Sequence, residues 1–498
     1  MKIIIPMTGK SKRFKEAGIS LPKQFLPINK KTMIEHTLDM FPNEKDINFI
    51  VSNEDYEDKE LEKYFKILSK HNIVKIDHQT TGPGGAVLES KLLETDESVL
   101  INYCDFSNIW DWEDFKNFVK LNNPDGIIPA YVGLHPHSIY GNNYAFLKLE
   151  ENKVIGIQEK NPFTANKINE YASSGSYYFK SGLLAKKYID RSFEKKQFTN
   201  NEIYISTPYQ EMINDKLDVK VYEISHFFQW GTPEDYTEFI YGLEEVENID
   251  SKNKIDINNI NLLIPAAGES KRFRDENYKK SKIYLDINGL SMIQNIINSF
   301  KNQISTKVLI QEKDYLEKEF NQKKESIIKI SKITEGQADS GIKLIENIDN
   351  NKPLLIHSSD CILDKNTKIN IENSDIVIFT KRGYRRAFEK FENYGWVNSR
   401  NNKIISLSIK SNPDSKNSNV IIGTFLFKNK ETYKELYEET KKRKSSGEIH
   451  IDHLVETALE KGLKVKEVSS SKSVMLGIPV EYKLFNYMKN VYYYLKNK

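Results

Sequence analysis

The feature that most constrains this chain is an internal repeat. The run Ile3-Ile4-Ile5-Pro6-Met7-Thr8-Gly9-Lys10-Ser11-Lys12-Arg13-Phe14 returns 259 residues later as Leu262-Leu263-Ile264-Pro265-Ala266-Ala267-Gly268-Glu269-Ser270-Lys271-Arg272-Phe273. Lys23 and Lys282, and Met33 and Met292, keep that spacing. The match runs on in order through Gly82 and Gly336, Asp105 and Asp360, Lys160 and Lys410, Gly175 and Gly423, Glu202 and Glu448, and Gly231 and Gly477, the spacing shrinking to 246. Loops absorb small deletions of this kind. A chance motif does not produce a collinear series, so the 498 residues divide into two homologous domains, 1–244 and 260–498. Residues 245–259 are rich in Asp, Asn and Lys and read as a linker.

Each copy alternates strand and helix. In the first, Lys2–Pro6 is a buried-strand run, Thr32–Phe41 has helical apolar spacing, and Phe49–Ser52 is a short strand. Glu57–Leu68 reads as an amphipathic helix and Val99–Asn102 as a strand closed by Asp105. The pattern predicts an α/β fold of two tandem, doubly wound, mostly parallel mixed sheets of Rossmann-like type. Ligands in such sheets sit beyond the carboxyl ends of the strands, where the Gly9 loop and Asp105 both lie.

Composition excludes several classes. Lys+Arg number 73 and Asp+Glu 70, a net charge of +3, which gives no reason to expect nucleic acid or a membrane as partner. Two cysteines rule out a disulfide framework and a four-cysteine zinc site. No apolar stretch approaches the length of a spanning helix or a signal core. A cytoplasmic location is the expectation.

The residues after the first strand point to phosphate chemistry. Gly9-x-Ser11-x-Arg13-Phe14, followed by Pro22-Lys23, places bare backbone and two cations on one loop. Backbone N–H groups and cations of this kind neutralise a triphosphate and hold leaving pyrophosphate. The plain alternative is a solvated basic loop; a Walker loop is excluded by the spacing. The chain resembles the sugar-nucleotidyltransferases, also called nucleotide-sugar pyrophosphorylases, over nearly all of residues 1–240 and more weakly over 260–490. The resemblance implies two tandem nucleotidyltransferase domains. It also implies nucleotide binding by Gly9 and Ser11, and phosphate or pyrophosphate contacts by Arg13 and Lys23.

Gln79-Thr80-Thr81-Gly82-Pro83-Gly84 resembles the family loop that reads the base, a pyrimidine being favoured, with Gln79, Gly82 and Gly84 as candidates. Thr81 is equally placed to cap the following helix. By the same resemblance Asp105 holds Mg²⁺, for which a carboxylate oxygen is the right ligand. Glu159 and Lys160 face the acceptor and its phosphate, and Gly175 sits against it. Gln229-Trp230 stands where many relatives carry a second metal-binding Asp, which makes Glu202 the substitute, otherwise an acceptor contact. Cys104 and Cys361 read as packing. His135-Pro136-His137 is a weak metal signal or acceptor-pocket lining. Segments 133–144 and 161–171 resemble the branch of the family found in capsule and lipopolysaccharide gene clusters.

The second copy keeps Gly268, Ser270, Arg272, Lys282, Gly336, Asp360, Lys410, Gly423 and Glu448, lacks the proline before Lys282, and alters the closing Gly-Thr-Pro-Glu-Asp motif to Gly477-Ile478-Pro479-Val480-Glu481. The expected reaction joins a nucleoside triphosphate to a phosphorylated small molecule of the sugar 1-phosphate class, with release of pyrophosphate. A homo-oligomer is compatible with this. Two alternatives stay open: a CTP-dependent cytidylyltransferase on a non-sugar phosphate, and a non-catalytic nucleotide-binding protein, especially in the second copy. A glycosyltransferase is disfavoured because Asp105-Phe106-Ser107 lacks Asp-x-Asp.

Overall fold

The structure is a computed structural model describing residues 1–77, 81–321, 324–400, 403–415, 418–444 and 447–497. The chain forms two compact units, Met1–Ile240 and Tyr241–Lys498.

In the first unit the sheet strands are β1 (Lys2–Pro6), β2 (Ile47–Ser52), β3 (Asn72–Ile76), β4 (Val99–Asn102), β5 (Gly126–Tyr131), β6 (Ala145–Glu150), β7 (Lys153–Glu159), β8 (Tyr171–Ser173), β9 (Ser176–Phe179) and β10 (Val219–Glu223). They lie in the order β8-β6-β7-β10-β5-β9-β4-β1-β2-β3. The half built from β4, β1, β2 and β3 is wholly parallel. In the other half β9 runs antiparallel to both neighbours, and β6 and β7 form a hairpin. The parallel reading therefore describes the first half; hairpin connections make the remainder mixed.

Both faces of the sheet are covered. Ile3 and Ile5 pack on one side with Phe49, Leu100, Ile34, Trp112 and Phe115. Ile4 points to the other, with Ile50, Val99, Ile101, Ala185, Ile189 and Met212. This alternation explains why the strand reads as an unbroken apolar run: successive side chains enter opposite cores. Each such side chain contributes on the order of 1.5–3 kcal/mol by burial.

The helices that matter to the site are α1 (Lys12–Glu16), α2 (Met33–Leu38), α3 (Gly82–Glu89), α4 (Trp112–Asn122), α5 (Gly182–Glu194), α6 (Thr207–Asn214) and α7 (Pro233–Asp250). A reciprocal cap starts α2: Glu35 N–H donates to Thr32 Oγ1 (3.4 Å) and Thr32 N–H to Glu35 Oε2 (2.7 Å). The helix expected over 57–68 is instead three short pieces, Asn53–Glu57, Glu62–Phe65 and Lys66–Leu68. Asp58 is extended there, and its side chain accepts the Glu60 N–H at 2.8 Å. That local bond competes with continuing the helix.

The expected linker over 245–259 is also corrected. Helix α7 runs unbroken to Asp250, and Ile255–Asp256 pairs in parallel with Phe300–Lys301. The polar residues that suggested a solvated linker have partners in the second unit. Buried Glu245 pairs with Lys381 at 2.5 Å, and Asn248 donates to the Leu363 carbonyl and accepts from Lys365 N–H, both at 2.9 Å.

The second unit has β11 (Asn261–Pro265), β12 (Ser305–Gln311), β13 (Glu325–Ile330), β14 (Leu354–His357), β15 (Ile376–Lys381), β16 (Gly395–Arg400), β17 (Lys403–Ile409), β18 (Asn419–Phe427) and β19 (Val465–Ser469). Their order is β19-β15-β18-β14-β11-β12-β13, with β16 paired to β17 and β18. Matched strand for strand, this is the order β10-β5-β9-β4-β1-β2-β3 of the first unit.

Candidate active site

In the first unit a cavity of about 280 Å³ opens where β1, β4 and β7 end. Its wall includes Gly9, Arg13, Lys23, Gly82, Tyr103, Cys104, Asp105, Tyr144, Glu159, Lys160, Gly175, Glu202, Tyr204, Gln229 and Gly231. Residues separated by up to 222 positions in sequence thus line one space.

The loop after β1 is shaped by Ser11, which holds a left-handed backbone at φ 50°. Such a conformation is uncommon for a residue with a β-carbon. It turns the Ser11 hydroxyl to accept the Lys23 N–H at 3.1 Å, which ties the Gly9 loop to the Pro22-Lys23 segment. A β-carbon on Gly9 would meet no atom within 4 Å, so this glycine leaves bare backbone facing open space. The Lys23 ammonium donates to Asp105 Oδ2 at 2.6 Å. Burial acts to lower the Lys23 pKa, but the Asp105 carboxylate outweighs it and raises it above the ordinary value. Lys23 is therefore charged at neutral pH.

Asp105 follows β4, and its carbonyl accepts the Trp230 N–H at 3.1 Å. A β-carbon on Gly231 would lie 2.6 Å from Asp105 Oδ2. The glycine keeps clear the space beside the carboxylate. Gln229 does not replace an acid: its amide donates to Asp235 Oδ2 at 3.2 Å, and Asp235 also accepts from Thr232. Cys104 is buried, and burial followed by the neighbouring Asp105 pushes its thiol up to about 12, which keeps it protonated.

The opposite wall is formed by the end of β7 and the segment before α6. Lys160 is another non-glycine residue in the left-handed region, at φ 57°. Its N–H donates to the Tyr144 carbonyl at 2.9 Å, and its ammonium donates to Tyr204 OH at 2.9 Å. Glu159 accepts from Ser206 Oγ at 2.5 Å, and burial raises its carboxyl above the ordinary value. Gly175 is left-handed at φ 93°, and a β-carbon there would sit 2.9 Å from the Phe106 ring.

Several expected residues fall elsewhere. Gln79 lies outside the described residues. Gly82 lines the cavity with φ 79°, whereas the Gly84 N–H donates to the Ile203 carbonyl at 3.0 Å, so Gly84 serves the packing of α3 and not the cavity wall. Thr81 occupies the N-cap position of α3 without a side-chain capping bond; its carbonyl accepts the Ile203 N–H at 3.0 Å. His135 and His137 belong to an aromatic cluster behind the wall. His137 Nε2 is 2.6 Å from Tyr131 OH, and burial pushes His135 down to about 4. Neither histidine lines the cavity, because the Tyr131 and Tyr144 rings pack against them. Sequence reading missed Tyr103, Tyr144 and Tyr204, whose spacing carries no motif.

The second unit repeats the loop geometry. Ser270 is left-handed at φ 55°, its hydroxyl accepts the Lys282 N–H at 3.1 Å, and Lys282 pairs with Asp360. Ser281 stands where the first copy has Pro22 and holds nearly the same backbone, φ −56° and ψ 143° against −54° and 136°. Lys410 and Gly423 are left-handed at φ 50° and 70°. Gly336 is positive at φ 142°, and Glu448 lies against it.

Among the described residues no group of three or more His, Cys, Asp or Glu side chains is placed to hold a metal ion, and no helix is long and apolar enough to cross a membrane.

A search of curated proteins found no match. Among solved structures the chain is similar to a nucleoside-diphosphate-sugar pyrophosphorylase from Vibrio cholerae, at 25% identity over 48% of this chain and 99% of that one, TM-score 0.39. It is also similar to an inositol-1-phosphate CTP transferase from T. maritima, at 15% identity over 46% and 96%, TM-score 0.36. A UDP-glucose pyrophosphorylase complexed with UDP-glucose matches at 18% identity over 48% and 97%, TM-score 0.38. The family model described as nucleotidyl transferase matches residues 2–245. That segment carries the cavity and every residue of its wall, and residues 2–245 of this chain belong to the nucleotidyl transferase family.

Proposed function

We propose that the first unit transfers the nucleotidyl group of a nucleoside triphosphate, a pyrimidine one being favoured, to a phosphorylated small molecule of the sugar 1-phosphate class. The observation that carries this reading is the pairing, across one cavity, of a cationic loop (Arg13, Lys23) and Asp105 with a second wall bearing Glu159 and Lys160.

An acceptor phosphate oxygen forms a bond to the α-phosphorus. The bond from that phosphorus to the bridging oxygen of the β-phosphate breaks, and pyrophosphate leaves with the electron pair. The nucleophile is already an anion, so no proton need be moved and no covalent enzyme intermediate is needed. The protein must bring two anions together and neutralise charge. Arg13 and Lys23 act on the triphosphate; Lys160, steadied on Tyr204, acts on the acceptor phosphate. Glu159 accepts hydrogen bonds from acceptor hydroxyls, and Gly175 and Glu202 bound the same space.

The donor set fits Mg²⁺. Asp105 offers a hard oxygen in a space that a β-carbon at position 231 would fill, and Mg²⁺ characteristically takes one or two carboxylates plus phosphates and waters. Bound there, it would screen the repulsion between the reacting phosphates. Glu202 is the candidate for a further carboxylate. The resemblance of 133–144 and 161–171 to capsule and lipopolysaccharide enzymes supports a role in bacterial surface polysaccharide synthesis in the cytoplasm.

The test is pyrophosphate release with Mg²⁺, five nucleotides (CTP, UTP, dTTP, GTP, ATP) and a panel of sugar and non-sugar phosphates. Stoichiometric release with one nucleotide and a sugar 1-phosphate is expected. Release with a non-sugar phosphate and CTP alone would replace the acceptor class, and nucleotide binding without release from any pair would favour the non-catalytic alternative.

A further inference from the structure

The second unit lies outside the matched family segment, yet its site has not decayed in the way an unused copy would. The loop, the Lys282–Asp360 pair and Lys410 keep their conformations, as described above. The acceptor wall differs, and one difference is compensated. Where the first unit has Glu159 on β7, held by Ser206, the second has Ile409 at the end of β17 and Asp452 in the Ser206 position. The carboxylate has moved from the strand end to the neighbouring segment that contacts it. Room for it comes from a third change. Gly395 replaces Ala145, and a β-carbon there would sit 2.7 Å from Asp452 Oδ2. No described residue donates a hydrogen bond to the Asp452 carboxylate, and burial pushes it up to about 7.

The polar groups around it have changed as well. His450 takes the place of Tyr204, and with Lys410, Lys444, Glu448 and His453 it lines an open cavity of about 430 Å³. Burial, with Lys410 adding to it, pushes His450 down to about 4, so the imidazole is neutral at pH 7 and is a hydrogen-bonding group like the phenol it replaces. Glu481, at the position of Asp235, accepts from both Tyr384 and Tyr394 hydroxyls at 2.8 and 2.7 Å. The phosphate-handling side is thus copied and the acceptor side rebuilt, with Ile409 for Glu159 and His450 for Tyr204.

We infer that the second unit holds a second nucleoside-triphosphate site, built on Arg272, Lys282 and Asp360, whose acceptor differs from that of the first unit because the acceptor side presents Lys410, Glu448 and His450 with no acid at position 409. The inference rests on the reading of the first unit's loop as a triphosphate site.

The test uses the full chain and Mg²⁺ with each of the same five nucleotides, counting nucleotide bound per chain by equilibrium dialysis for wild type, Lys23→Ala, Lys282→Ala and Arg272→Ala, with melting curves to confirm folding. Two sites are expected across the set, one lost in Lys23→Ala and another lost or weakened at least tenfold in both Lys282→Ala and Arg272→Ala. Asp452→Asn should leave nucleotide binding unchanged. Any phosphorylated acceptor whose turnover survives in Lys23→Ala should lose at least tenfold in kcat/KM on Lys410→Ala. If folded Lys282→Ala and Arg272→Ala both keep the full wild-type count with every nucleotide, the inference is overturned. A folded Lys23→Ala that keeps the full wild-type count would instead count against the first unit's assignment, which keeps the two failures distinct.

Discussion

Asp105 and Gly231 approach so closely that a single added methyl group would place carbon 2.6 Å from the carboxylate oxygen Oδ2. The contact lies 126 residues apart in sequence and fixes where the acid sits relative to Lys23. Gly231→Ala should therefore displace the Asp105 carboxylate and lower turnover at least about tenfold, the effect of roughly 1.4 kcal/mol in the transition state. Melting temperature should change little, since the displaced carboxylate moves into the cavity and not into the packed core. Steady-state kinetics beside a melting curve checks it; unchanged turnover would show that Asp105 tolerates displacement.

Glu159 accepts from Ser206 and is placed toward the acceptor. A glutamine retains the shape and one acceptor oxygen but loses the charge. Hydrogen bonds to charged groups contribute about 1.5–3 kcal/mol. Glu159→Gln should lower kcat/KM for the acceptor by about 10–100-fold while leaving the nucleotide KM within about threefold. Equal losses for both substrates would place Glu159 in a general structural role.

Gly175 carries a left-handed backbone and faces the Phe106 ring. Alanine there pays twice, in backbone strain and in overpacking, for a combined cost of about 2–4 kcal/mol. The denaturant midpoint of the first unit's transition should fall accordingly. A midpoint equal to wild type would mean the strand ends shift freely.

Asp452 gives a pH signature. Its pKa stands at about 7 in the folded chain against an ordinary 3.8, so the folded state holds the proton more tightly than the unfolded one. The stability it confers is fully present below 3.8 and is lost as pH rises through 7. Between pH 5 and pH 8 wild type should lose about 2 kcal/mol relative to Asp452→Asn. Urea titrations at the two pH values measure it; parallel curves for the two proteins would show that Asp452 is solvated.

Much of the site was legible because its residues carry backbone signals. Glycines at 9, 82, 175 and 231 and the lysine after a proline mark loops with fixed jobs, and the repeat doubled each observation. Strands β1 and β4 were bounded correctly because both their faces are buried. What was not legible depends on tertiary partners. Glu245 and Asn248 read as solvent-facing until Lys381, Leu363 and Lys365 supply their bonds. The broken helix over 57–68 turns on one Asp58 side-chain bond. The exchange of Glu159 for Asp452 is invisible to motif comparison, because the acid moves between elements that touch only in the fold.

The most direct measurement of the central claim is the rate of pyrophosphate release by Lys23→Ala on the best wild-type pair of nucleotide and acceptor. Lys23 bonds Asp105 and lines the cavity beside Arg13, and the transferase reading makes it a strong transition-state contact. Loss of at least about 100-fold in turnover is predicted, the scale of removing one such contact. Turnover within about threefold of wild type would contradict the assignment of this cavity as the transferase centre.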